Sequence, residues 1–137
     1  MWLRRRQATV AFAALRIFMH DKIREATTLE RLMFAFGLGK GFAVEGNSMR
    51  PALQNGDVVL IQANKAPEVG DVVVAQHPFK QSVRVTKRVA RVDPAGYELR
   101  GDDPDESTDS RTFGLIERRL ILGKVVCRLA RGKVGGD

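Results

Sequence analysis

Cysteine is nearly missing from this sequence, with Cys127 its sole example. A lone thiol excludes an internal disulfide and leaves no second thiol for a paired metal or redox site, so a reducing compartment is expected. Cys127 lies in the alternating run Lys124-Val125-Val126-Cys127-Arg128-Leu129 and is read there as a small buried hydrophobe. Long apolar runs are missing as well. Ala8 to Leu15 follows Arg4-Arg5-Arg6 like the opening of a secretory signal, but Arg16 interrupts it and no small-residue cleavage site follows cleanly. The run falls short of the roughly 20 residues that a spanning helix needs, so no transmembrane segment is expected. Proline and glycine are absent from residues 3 to 36. That stretch carries apolar residues at Val10, Ala14 and Ile17, then at Leu29, Leu32, Met33 and Phe36, which suits one or two amphipathic helices.

What is present describes an ordinary folded chain. The 137 residues suit one domain, and apolar and charged fractions of 44% and 28% exclude disorder and a disulfide-stapled scaffold. The net charge is +7, with 8 basic against 4 acidic side chains in the first 45 residues and 15 against 12 in the rest. Such an excess suits nucleic acid, an anionic lipid surface or plain solvation, and composition alone leaves these open.

Thr27 followed by Glu30 is a capping-box pattern for the start of the second helix, and Gly37, Gly39 and Gly41 end it in a glycine-rich hinge. From Phe42 the pattern changes to short β-branched runs at Val58 to Ile61, Val72 to Ala75, Val83 to Val89, Tyr97 to Arg100 and Leu120 to Val126. Turn signals at Asn55-Gly56-Asp57, Val69-Gly70-Asp71, Asp93-Pro94-Ala95-Gly96 and Gly101-Asp102-Asp103-Pro104 separate them. The expectation is a mainly β, antiparallel fold: an N-terminal helical region over residues 1–41, a β-rich domain over 42–130 and a loose tail over 131–137.

Three segments carry candidate chemistry. In Val44-Glu45-Gly46-Asn47-Ser48-Met49-Arg50-Pro51, a serine sits in a turn whose neighbours tolerate unusual backbone angles, although a serine there is by itself an ordinary turn residue. In Val83-Arg84-Val85-Thr86-Lys87-Arg88-Val89, alternation places Lys87 on the face of Val83, Val85 and Val89. Burial there would depress its pKa and make it a base; the competing reading is an exposed basic edge shared with Arg88, Arg84 and Arg91. The third segment, Gly101 to Arg111, is acidic and rich in hydroxyls but lacks the glycine and glutamate of a calcium loop, so no metal is expected.

Together, Asn-Ser-Met-x-Pro at residues 47 to 51, Gly-Asp-Val-Val at 70 to 73, Lys-Arg-Val at 87 to 89 and Gly-Asp-x-x-x-x-Ser-x-Asp-Ser-Arg at 101 to 111 resemble type I signal peptidases, including the mitochondrial inner-membrane peptidases. The resemblance covers roughly residues 42 to 126 and implies a signal peptidase/LexA-like antiparallel catalytic core. It implies Ser48 as nucleophile, Lys87 as general base, Ser107 as the serine that orients the lysine, and Asp109 with Arg111 as a supporting ion pair. The oxyanion would be held by the backbone N–H of Ser48; Gly46 stands where some relatives carry an assisting hydroxyl, so the second donor would be backbone or water. Asp103 departs from the asparagine common in that loop. No cofactor is implied.

Of the two histidines, only His77 is a serious rival base, and no motif links it to Ser48. The segments Val73 to Pro78 and Gly101 to Arg111 resemble the maturation proteases of nickel-containing superoxide dismutase in particular. The expected partner is therefore a precursor protein, with nucleic acid not expected. The expected location is the cytoplasm, peripheral contact at the inner face of the membrane being open. The alternatives are a general signal peptidase acting on secretory preproteins and a LexA-like self-cleaving repressor, disfavoured because only about 40 residues precede the β-region where a DNA-binding module needs about 60. A noncatalytic basic module lying on a membrane through Leu3 to Met19 is the remaining reading.

Overall fold

The computed structural model describes residues 23–105 and 114–133. Helix α1 (Thr28–Ala35) begins as its sequence predicts: the Thr27 hydroxyl accepts from the Glu30 N–H and the Glu30 carboxylate accepts from the Thr27 N–H. Arg24 adds two further bonds to that carboxylate, at 2.9 and 2.6 Å. The helix stops at Gly37, whose φ of +81° is one that side chains resist.

Strands β1 (Lys40–Ala43), β2 (Val58–Gln62), β3 (Val72–Gln76), β4 (Arg84–Asp93), β5 (Gly96–Arg100) and β6 (Ile121–Ala130) follow. They form one sheet in the order β1-β2-β6-β3-β4-β5, and every neighbouring pair is antiparallel. The mainly β, antiparallel expectation therefore holds. The glycine stretch expected as a hinge does not: Lys40 to Ala43 pairs with Ile61 to Val58 as an edge strand. Gly41 serves close packing instead, because a Cβ there would lie 2.8 Å from the Phe34 ring.

Strand β3 is buried on both faces, so its alternation divides two cores. Val72 and Val74 join Val44, Met49, Leu53, Val59, Ile61 and Val125 on one side. Val73 and Ala75 join Val89, Tyr97, Leu99, Ile116 and Leu120 on the other. Cys127 is buried with Ala26 and Leu129, and burial pushes its thiol pKa up. Its neighbour Ala26 belongs to an arm, residues 24–26, which lies along β6: the Ala26 N–H donates to the Arg128 carbonyl and the Arg128 N–H to the Arg24 carbonyl.

Candidate active site

Ser48 is half-buried in a turn whose neighbours hold it from below. Met49 and Leu53 are 1% and 0% exposed, and the Leu53 N–H donates to the Met49 carbonyl at 2.9 Å. The Arg50–Pro51 peptide is cis. Ahead of the serine, Gly46 takes a φ of +79° and donates its N–H to Asn55 Oδ1 at 2.8 Å, while the Asn55 N–H donates to Asn47 Oδ1 at 3.4 Å. The Gly46 N–H, expected to help hold an oxyanion, is engaged here with the Asn55 side chain.

Lys87 lies on β4 opposite Val73 and is 4% exposed. Its neighbours Thr86, Arg88 and Val89 are buried as well, so the exposed-edge reading applies to Arg84 and Arg91 and not to Lys87 or Arg88. Arg88 is the joint of the site. Its Nε and one terminal nitrogen each donate to an Asp102 carboxylate oxygen at 2.8 Å, and its other terminal nitrogen donates to the Gly70 carbonyl at 2.8 Å. Such a fork fixes orientation as well as distance. The next residue of that loop, Asp103, donates its N–H to the Ser48 carbonyl at 2.8 Å.

These bonds link the four sequence motifs in a chain: Gly70 to Arg88, Arg88 to Asp102, Asp103 to Ser48. The Asp103 departure costs nothing at this point, because the bond uses the main chain, while the side chain accepts from the Asp105 N–H at 3.1 Å. Ser107, Asp109 and Arg111 lie outside the described residues, as does His20. His77 Nδ1 accepts the N–H groups of Phe79 and Lys80 at 3.1 and 3.2 Å, which makes it a brace of the β3 to β4 turn.

Beside the site, two strand edges are left without a neighbouring strand along part of their length among the described strands. The β5 register begins only at Arg88, so Arg84 to Lys87 pair with β3 alone among the described strands, and β1 forms one end of the sheet. The Arg84 guanidinium lies 5.1 Å from the Phe42 ring centroid, so a side chain of β4 meets one of β1.

Behind the turn lies a buried ionic group that the sequence reading missed. Asp57 is 0% exposed and accepts the Gln54 N–H at 3.0 Å and the Gly132 N–H at 2.6 Å. Arg128 reaches both Asp57 and the Ala52 carbonyl at 3.3 Å. The available signal was a charge at an inward position of β6.

Residues 9–126 match the model of the Peptidase S24-like family. Among curated relatives, the mitochondrial inner membrane protease subunit 1 of Xenopus tropicalis is 31% identical over 116 residues, covering 67% of this chain and 70% of that protein. The human subunit 1 is 29% identical over 108 residues, covering 61% and 65%. Subunit 2 of Schizosaccharomyces pombe is 32% identical over 111 residues, covering 63% and 62%. The chain thus spans about two thirds of the length of these relatives. Among the described residues no helix is long and apolar enough to cross a membrane.

Proposed function

The chain belongs to the Peptidase S24-like family and is a serine peptidase homologous to the mitochondrial inner membrane protease subunits, and on that premise we propose that it is a Ser/Lys endopeptidase that removes an N-terminal extension from a precursor protein. The observation that supports this most is the linkage of Ser48 to the Lys87-Arg88 pair through Asp103 and Asp102, with Lys87 buried.

A buried amine loses its proton more readily than a solvated one, and a hydroxyl needs such a base to become a nucleophile. In the proposed reaction Lys87 Nζ takes the proton from Ser48 Oγ as that oxygen attacks the scissile carbonyl carbon. The tetrahedral intermediate collapses when the leaving amine receives the proton from Lys87, leaving an ester on Ser48. Water, deprotonated by Lys87, attacks the ester carbon, and the acyl–Oγ bond breaks to release the product's carboxylic acid end as Lys87 returns the proton to Ser48 Oγ. The Ser48 N–H is the assigned oxyanion donor. By the resemblance in sequence, Ser107 is assigned the role of orienting the lysine, and Asp109 with Arg111 that of a supporting ion pair.

The substrate enters as an extended strand between the edges of β1 and β4, where main-chain pairing gives affinity and side-chain pockets give selectivity. The proposed substrate is the precursor of a nickel superoxide dismutase, a choice supported by the segments Val73 to Pro78 and Gly101 to Arg111. Peripheral membrane contact from the cytoplasm is part of the proposal, supported by the exposed apolar side chains of Leu29, Leu32 and Phe36 at or beside α1.

The test offers the purified protein and its Ser48→Ala variant a nickel superoxide dismutase precursor, a secretory preprotein and no added substrate. Ser48-dependent trimming of the first is expected. Cleavage of the secretory preprotein alone would replace the substrate assignment, self-cleavage alone would favour the repressor reading, and no Ser48-dependent cleavage of any of them would contradict the enzyme.

A further inference from the structure

Arg128 is buried, yet it is bonded on two sides to segments far apart in the chain. Toward the arm, its Nε donates to Glu25 Oε1 at 2.8 Å, and its own N–H and carbonyl pair with Arg24 and Ala26. Toward the nucleophile, the same guanidinium donates to the Ala52 carbonyl and to Asp57, which in turn receives the Gln54 N–H. Ala52 and Gln54 close the turn that Ser48 opens. Between arm and turn lies a cleft of about 330 Å³ lined by Ile23, Glu25, Pro51, Ala52, Arg128 and Arg131. Arg128 bridges arm and turn across this cleft.

We propose that Arg128 is a positioning residue for Ser48 and that Glu25 of the arm sets its orientation, so that the nucleophile turn is held in its working geometry only while the arm is seated on β6. This rests on the Ser/Lys peptidase reading. A planar guanidinium has a fixed fork of donors, so two donors engaged by Glu25 dictate where the third nitrogen points. Removing that anchor frees the fork to swing toward Asp57 or into the cleft, and the Ala52 carbonyl loses its donor. Small misplacements of a nucleophile cost rate far more than binding.

Glu25 is the residue to change, because its side chain is 41% exposed whereas substitution at Arg128 takes the guanidinium away from the buried Asp57 carboxylate. With pro-nickel superoxide dismutase as substrate, Glu25→Ala is expected to lower kcat about tenfold with KM within about twofold of wild type. Glu25→Gln, which keeps an acceptor oxygen, regains most of that loss. Arg131→Ala, which removes another of the arginines paired with Glu25 but no bond to the turn, leaves kcat unchanged. Amide hydrogen exchange of residues 47–57, which needs no substrate, is expected to quicken in Glu25→Ala and not in Arg131→Ala. Wild-type kcat and exchange in a folded Glu25→Ala protein would overturn the inference while leaving the peptidase intact. Absence of Ser48-dependent cleavage in the wild type would remove the peptidase reading, and unchanged exchange in Glu25→Ala would then remove the positioning claim as well.

Discussion

The main-chain N–H of Asp103 donates to the carbonyl of Ser48 at 2.8 Å, so the acidic loop after β5 and the Ser48 turn after β1 are one structural unit. The side chain of Asp103 takes no part in this bond. Asp103→Asn is therefore expected to keep activity within about twofold, while Asp103→Pro, which deletes the donor, loses about tenfold or more in kcat, measured on the same precursor. Equal activities for the two variants would show that this bond does not hold the serine.

Arg88 is the second tie of that unit, and its loss strands the mostly buried carboxylate of Asp102, whose side chain is 19% exposed. Arg88→Met is expected to destabilise the fold by about 3 kcal/mol, as removal of one partner from a buried pair does. Urea unfolding measures it, and a loss under about 1 kcal/mol would mean that the fork is solvent-screened.

Leu53 is fully buried in the core beneath the turn. Leu53→Ala is expected to cost about 3 kcal/mol. Its kcat should fall as well, because Leu53 pulls down the segment that presents Ser48. Chemical denaturation together with turnover checks both.

Hydrogen bonds from Arg24 and then from the Thr27 N–H hold the Glu30 pKa at about 2, below its ordinary value of 4.5. A carboxylate depressed on folding contributes stability that is complete above the unfolded pKa and is lost as pH falls through the folded one. The start of α1 should therefore stay formed at pH 5 and be lost between about pH 4 and 2. In Glu30→Gln this acid dependence should vanish, as read by amide exchange of residues 30 to 33.

Short runs of strand-favouring residues bounded by turn signals made β2 to β6 legible whatever their partners. The Thr27 and Glu30 cap was legible for the same local reason. Strand β1 was not, because four residues containing a glycine carry no period, and only the Phe34 ring across Gly41 explains them. Within the site, Ser48 and Lys87 stood out through motif spacing. Asp57 and Arg128 did not, because a Gly-Asp turn and an arginine in a β-run look solvated until the sheet order β2-β6 brings them together. The engaged N–H of Gly46 was likewise invisible, since it depends on an asparagine nine positions later.

The central claim is that the amine on β4, and no imidazole, takes the proton from Ser48. The direct measurement is turnover of one cleaved precursor by Lys87→Ala and by His77→Ala, each verified as folded by circular dichroism. Lys87→Ala is expected to be reduced by at least about a thousandfold while His77→Ala retains most of its activity. The reverse pattern would contradict that claim.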